Sequence, residues 1–284
     1  MKTGLAAMLS ACEKTLSLLD PTKLSLWWLI TSDEEGEAEY GSQWISQYLA
    51  DQSIQLDGVI VGEPTSSQQT GDTIKIGRRG SLSASVQVSG KQGHVAYPQT
   101  CDNAIHKSSA MIQALLGYDW DQGTDDFPGS TCQITHLDTG PFVDNLAPGA
   151  CTIEFNVRYS SQFNEYSLKH ALKTLIYAID PAAQISWARP CESFMTLPQQ
   201  PGCLIGTIER AIFLNTGRYP TVSTSGGTSD GRFYAGPHTQ VVEIGVPNTT
   251  IHQVNESIHV SDLLTLEDIY TDVLKGLGRE REGG

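Results

Sequence analysis

Apolar positions along this chain follow two different rhythms, and the change between them divides it into three stretches. In the first, Leu5, Met8, Leu9, Cys12, Leu16 and Leu19 recur at spacings of three and four, which predicts an amphipathic helix over residues 2–19 with those side chains inward. The run Leu24-Ser-Leu-Trp-Trp-Leu-Ile-Thr31 is rich in large apolar residues and reads as a strand buried on both faces. A helix over Gly41–Leu49 and a second buried strand over Leu56–Glu63 follow. Strands alternating with helices predict a mainly parallel sheet with helices on both faces.

Near Arg79 the rhythm changes. Ser81-Leu-Ser-Ala-Ser-Val-Gln-Val-Ser89 alternates polar and apolar residues, the pattern of an antiparallel strand with one wet face. A helix over Asn103–Leu116, strands over Thr131–Leu137 and Cys151–Tyr159, a helix over Glu165–Ile179 and a strand over Gln184–Ala188 complete a β-α-β-β-α-β series, the split βαβ sandwich. Beyond Cys191 the α/β pattern returns, with a helix over Cys203–Asn215, a strand over Val241–Ile244 and a helix over Ser261–Gly276, for which Ser261 is the candidate cap. The expected organisation is therefore an α/β domain from residues 1–79 and 194–284, carrying an inserted α+β ferredoxin-like domain at residues 80–193. The closing Gly278-Arg-Glu-Arg-Glu-Gly-Gly reads as a frayed tail.

Composition narrows the function more than the fold. With 39% hydrophobic residues, the chain has the material for a packed core. A formal charge of −14 disfavours nucleic-acid and anionic-membrane partners, and no apolar stretch is long enough to span a bilayer. The six cysteines contain no C-x-x-C pair, so reduced, mostly buried thiols of a cytoplasmic protein are expected. Met1 to Cys12 has the outline of a lipoprotein leader, but its single lysine and short apolar region fit the amphipathic helix better.

Acidic and imidazole groups stand where expected strands end. Glu34 and Glu35 follow the first strand, Glu63 the second, and His252 the last. Adjacent carboxylates repel unless a proton or a cation neutralises one, and the carboxyl ends of sheet strands are where open α/β folds place ligands. Carboxylate and imidazole are also the donors of a catalytic zinc. Singly, each has a plainer reading: a solvated acidic turn, or a structural histidine. A different chemistry is offered by Gly227-Thr-Ser-Asp-Gly231, which fits the G-x-S-x-G pattern with Ser229 as nucleophile and His252 as base, although the polar Thr221-Val-Ser-Thr-Ser before it makes a poor elbow strand.

Thr31-Ser-Asp-Glu-Glu, Val61-Gly-Glu-Pro, Gly77-Arg-Arg-Gly-Ser, Gly93-His-Val-Ala-Tyr-Pro, Gly226-Gly-Thr-Ser-Asp-Gly-Arg-Phe and Thr250-Ile-His-Gln-Val-Asn-Glu together resemble the succinyl-diaminopimelate desuccinylases. These are dinuclear zinc amidohydrolases of the M20 peptidase family, and the likeness runs in order over essentially the whole chain. The resemblance implies hydrolysis of N-succinyl-LL-2,6-diaminopimelate to LL-2,6-diaminopimelate and succinate, in diaminopimelate and lysine biosynthesis. It implies two zinc ions per subunit in the full-length enzyme, with cobalt as a substitute, and a cytoplasmic homodimer joined through the inserted domain, which also acts as a lid.

By the same resemblance, Glu34 is the general base. Glu35 and His252 bind one zinc, and Glu63 binds the other. His94 stabilises the oxyanion in the partner's site, assisted by Asn145. Arg78, Ser81, Tyr97, Arg158, Gly227, Thr228, Arg232 and Asn248 are implied substrate contacts, and planar guanidinium forks suit a substrate with several carboxylates.

One departure accompanies these matches. In the family, the aspartate that bridges both metals precedes a Met-Lys-x-Gly sequence, and a His-x-Asp motif lies upstream; here Met1-Lys-Thr-Gly opens the chain. Those two ligands are therefore expected to be missing, and the chain alone is expected to show little or no activity. The alternatives that remain are a related M20 deacylase such as acetylornithine deacetylase, and a non-catalytic dimerisation or binding module.

Overall fold

A computed structural model describes residues 1–32, 34, 40–196 and 203–279. The chain forms two compact units, one of Met1–Arg78, Phe194–Ser225 and Ser229–Gly284, the other of Arg79–Ser193 with Gly226–Thr228. The first unit begins with α1 (Lys2–Thr15), α2 (Ser42–Asp51), β1 (Gly58–Val61), β2 (Thr73–Lys75) and β3 (Gly77–Arg78). The second follows with β4 (Gly80–Ser89), β5 (Gly93–His94), α3 (Ala104–Gly117), β6 (Thr131–Asp138), β7 (Leu146–Ala147), β8 (Ala150–Tyr159), α4 (Glu165–Ile179) and β9 (Gln184–Cys191). The first unit resumes with β10 (Phe194–Met195), α5 (Leu204–Thr216), β11 (Thr221–Ser223), β12 (Gln240–Glu243) and α6 (Val260–Arg279).

In the first unit the strand order is β1-β12-β2-β11. The β1–β12 and β2–β11 pairings are parallel, while β12 meets β2 antiparallel at Glu243 and Lys75. On one face, Ile74, Ile76, Val242 and Ile244 pack with Ala7 and Ala11 of α1, Ile208 and Ile212 of α5, and Leu266, Ile269 and Val273 of α6. Successive residues Val241 and Val242 are both fully buried, so the sheet is covered on both sides. Val241 turns to Gly231, in the 3-10 turn Asp230–Phe233. The Phe233 carbonyl of that turn accepts a 2.6 Å hydrogen bond from Ser46 Oγ of α2.

Three expectations fail here. The N-terminal helix forms, and Met8, Cys12 and Leu19 of the expected face pack at the margin of the core, but Gly4, Ala7, Ala11 and Thr15 make its buried face, while Leu5, Leu9 and Leu16 are exposed, Leu9 by 53%. The cause is close approach: a Cβ at Gly4 would stand 2.4 Å from the Gly62 carbonyl oxygen, so only small side chains fit at that contact. Ser10 and Lys14 add bonds to Glu267 of α6, the ion pair at 2.8 Å. Second, Leu24–Thr31 forms no strand; it has no ladder partner among the described residues, and Trp27 and Ile30 are exposed. Most of its large side chains find no apolar face among the described residues, and β1, the next strand along the chain, is an edge strand. Third, α6 begins at Val260, so Ser261 lies inside the first turn and is not the cap. That helix also runs through Arg279, and residues 280–284 lie outside the described residues.

The second unit is an antiparallel sheet in the order β6-β8-β4-β9. Its core joins Leu82, Val86 and Val88 of β4 to Ile153, Phe155 and Val157 of β8, with Met111 and Leu115 of α3 and Leu168, Leu172 and Ile176 of α4. Asn164 and Ser167 close a reciprocal cap on α4, satisfying donors that a helix start leaves open. Gly80 is needed where it stands, since a Cβ there would lie 2.2 Å from the Tyr159 ring. All six cysteines are free thiols, with Cys132, Cys151 and Cys191 buried. Among the described residues no helix is long and apolar enough to cross a membrane.

Candidate active site

In the first unit, β1 delivers Glu63 to a half-buried position just beyond its carboxyl end. Oε1 of Glu63 is shielded from solvent and has no hydrogen-bond partner. Burial first, and then the negative charge of Glu34, raise the Glu63 carboxyl from 4.5 to about 7; Glu243 pushes in the same direction, while the Met1 ammonium and Arg78 pull against it. Glu34 and Glu63, 29 positions apart in sequence, thus share one electrostatic neighbourhood. A carboxylate pair of this kind accepts a proton or a cation, and an orphaned buried oxygen is an open donor. The pair therefore fits a divalent cation.

His252 lies in an exposed turn with left-handed backbone, φ 59°. Among the described residues no group of three His, Cys, Asp or Glu side chains is placed to hold a metal ion. Glu35 lies outside the described residues.

Arg78 is buried, and its guanidinium is committed to protein partners. Nε reaches both oxygens of Glu243 at 3.1 and 3.0 Å, Nη2 also donates to Glu243, and Nη1 donates to the Ser225 carbonyl at 2.9 Å. Glu243 is the residue that sequence reasoning missed. Its signal was legible: a charge inside the apolar strand Val241-Val-Glu-Ile244 needs a buried partner. Lys75, also buried and register-paired with Glu243, was missed as well. Arg232 lays its guanidinium over the Phe233 ring at 4.4 Å, a cation–π contact. Asn248 is exposed, and its backbone N–H donates to the Ser66 carbonyl at 2.9 Å.

The serine-nucleophile alternative fails on geometry. Ser229 is buried and its Oγ accepts from Gly231 N at 3.1 Å, capping a single 3-10 turn rather than opening a helix. A nucleophile elbow needs an exposed hydroxyl between strand and helix.

In the second unit, β5 and β7 pair so that His94 lies opposite Leu146, and Val95 N donates to the Asn145 carbonyl at 3.0 Å. Tyr97 stands against His94, ring centres 5.7 Å apart, and Ala96 N donates to His94 Nδ1 at 3.1 Å. His94, Tyr97 and Asn145, separated in sequence, are thus brought together at an exposed two-stranded antiparallel pairing. Ser81 and Arg158 are direct partners across β4 and β8. Nη1 of Arg158 is buried without a hydrogen-bond partner, and burial lowers its pKa. Gly227 and Thr228 are exposed, with open space around Gly227.

Residues 76–183 match the peptidase dimerisation domain of the M20 family. Over 281 residues, 98% of this chain and 72% of the relative, the sequence is 60% identical to succinyl-diaminopimelate desuccinylase 1 of Alteromonas mediterranea. The chain belongs to the succinyl-diaminopimelate desuccinylase family. Succinyl-diaminopimelate desuccinylase 2 of Shewanella loihica is 44% identical over 96% of the chain and 74% of its own length. Among solved structures, the aminopeptidase PepT of Bacillus cereus superimposes with a TM-score of 0.76 at 19% identity, covering 98% of this chain and 71% of PepT. An M20 family metallo-carboxypeptidase of Sulfolobus solfataricus gives 0.75 at 15% identity, with 98% and 76% covered. At such identities these likenesses concern the fold alone, which is the zinc-peptidase-like α/β fold with an inserted α+β unit expected from the sequence.

Proposed function

We propose that this chain carries desuccinylase chemistry: amide hydrolysis of N-succinyl-LL-2,6-diaminopimelate to succinate and LL-2,6-diaminopimelate, in the cytoplasm. What carries the reading is the half-buried carboxylate of Glu63, with its shielded, unpartnered Oε1, within electrostatic reach of Glu34, in a chain 60% identical to a named desuccinylase. Zinc, or cobalt in its place, is the cation this donor set would hold, with Glu63 toward one ion and Glu35 with His252 toward another. When bound, such an ion polarises the amide carbonyl and acidifies water. Glu34 takes the proton from the attacking water and returns it to the leaving amine. His94, with Asn145 beside it, donates to the oxyanion of a partner subunit's substrate; the second unit serves as dimerisation and lid domain, the first as catalytic domain. Ser81, Tyr97, Gly227, Thr228, Arg158, Arg232 and Asn248 contact substrate. Arg78 contributes its positive charge from a buried pair with Glu243, not a free fork.

The test is succinate release with enzyme in excess over substrate, so that even slow turnover is seen. Release that needs added zinc or cobalt and is lost in Glu34→Gln is the expected result. Release that survives both a chelator and Glu34→Gln would overturn the proposal.

A further inference from the structure

Beside the Arg78–Glu243 pair lies a second polar cluster that the roles above leave unused. Parallel pairing of β2 and β11 sets Lys75 opposite Ser223. Lys75 Nζ donates to Ser223 Oγ at 3.1 Å and to Ser225 Oγ at 2.9 Å. Ser225 N donates to Ser223 Oγ at 3.1 Å, and the two hydroxyl oxygens are 2.9 Å apart. Arg78 Nη1 pins the Ser225 carbonyl from behind.

Counting protons gives this cluster a direction. A hydroxyl oxygen has two acceptor sites and one proton. Ser223 Oγ already accepts from Lys75 Nζ and from Ser225 N, so its proton goes to Ser225 Oγ. Ser225 Oγ then accepts from both Lys75 and Ser223. Its own proton is left pointing outward, from an exposed residue. With both acceptor sites filled, Ser225 is a polarised donor rather than a nucleophile.

Counting charges points the same way. Lys75 and Arg78 are cationic, Glu243 is the one anion between them, and all three are buried. Among the described residues Lys75 bonds only to neutral hydroxyls. Glu243 spends its hydrogen bonds on Arg78, so the Lys75 ammonium is held through hydroxyls alone, and a carboxylate accepting from the Ser225 O–H would extend that chain of donors. Burial, with the nearby Arg78 charge, lowers the Lys75 pKa against the opposing pull of Glu243. Arg78 and Glu243 both act on Glu63, so the cluster adjoins the acidic pair.

We propose that Ser225, backed by Lys75 and Ser223, is a carboxylate-receiving subsite that takes an amino-acid carboxylate of the diaminopimelate half of the substrate. This rests on the desuccinylase reading for the identity of the ligand, and adds Lys75, Ser223 and Ser225 as residues that set specificity for a substrate bearing that carboxylate.

The experiment is a titration of the whole chain with LL-2,6-diaminopimelate, followed through backbone amide NMR signals. 1,5-Diaminopentane, the same chain without carboxylates, serves as the control probe. Saturable shifts at residues 223–225 with diaminopimelate only are expected, and Ser225→Ala, whose exposed side chain can be trimmed without unfolding, should weaken binding about tenfold or more. Lys75→Gln should weaken it as well. A saturable response elsewhere that Ser225→Ala leaves within twofold overturns the subsite and spares the desuccinylase reading. Equal responses to both probes at residues 223–225 also overturn the subsite. The absence of any saturable response to diaminopimelate overturns both.

Discussion

The antiparallel sheet of the second unit and the N-terminal part of the first unit are built from similarly apolar sequence, yet they end in opposite states. In β4 and β8, alternate residues from Leu82 to Val88 and from Ile153 to Val157 are sealed in one core. In the first unit, Leu24–Thr31 lies extended without a ladder, with Trp27 and Ile30 in solvent, and Leu9 of α1 faces outward. The difference shows what hydrophobic content decides by itself. A strand stays buried only when another element offers backbone partners and an apolar face. In the second unit each strand finds these within the same unit. Residues 24–31 do not find them among the described residues.

The largest effect expected on this comparison comes from the buried Arg78–Glu243 ion pair of the first unit. Glu243→Ala leaves Arg78 charged and buried, and should cost about 3–5 kcal/mol in chemical denaturation. Replacing Arg78 and Glu243 together by apolar residues should recover most of that loss, and a double mutant no better than the single one would contradict the pairing. Of similar size, Phe155→Ala in the second unit removes a fully buried ring and should cost about 3–5 kcal/mol; a loss below about 1 kcal/mol would mean that the two regions do not differ as described.

A smaller effect depends on pH. A carboxyl whose folded-state pKa is raised is at ease in the fold only while protonated, so its cost is absent below its unfolded value of 4.5 and complete above about 7. Wild-type stability should therefore fall relative to Glu63→Gln as pH rises from 4.5 to 8 in chelator. The gap should reach at most about 3 kcal/mol, and a gap of constant size would contradict a half-buried, titrating Glu63. The smallest effect belongs to the exposed segment: Ile30→Ser, at a residue 64% exposed, should change stability by less than about 0.5 kcal/mol. A loss of 2 kcal/mol or more, on the scale of core deletions, would place that segment in a core after all.

Legibility from sequence follows the same division. α4 was readable end to end, and strands β4, β6 and β8 to within a residue, because alternation and caps are local signals. The buried face of α1 was not readable, because leucine spacing competes with a backbone contact at Gly4 and Gly62 that only the assembled unit reveals. Glu34 and Glu63 could be singled out as candidates from their places after apolar runs, and in the structure the charge of Glu34 acts on Glu63. Glu243 and the Lys75–Ser223–Ser225 cluster were not found, since their meaning lies in which strands become neighbours, a fact no single segment carries.

Glu63, a half-buried carboxylate with one shielded, unpartnered oxygen, is the group held ready for a cation on which the desuccinylase reading most depends. Its titration can be followed directly by side-chain carboxyl NMR, in chelator and then with added zinc. The account predicts a midpoint near 7 in chelator and one displaced well below the ordinary carboxylate range with zinc. A midpoint near 4.5 in both conditions would contradict it.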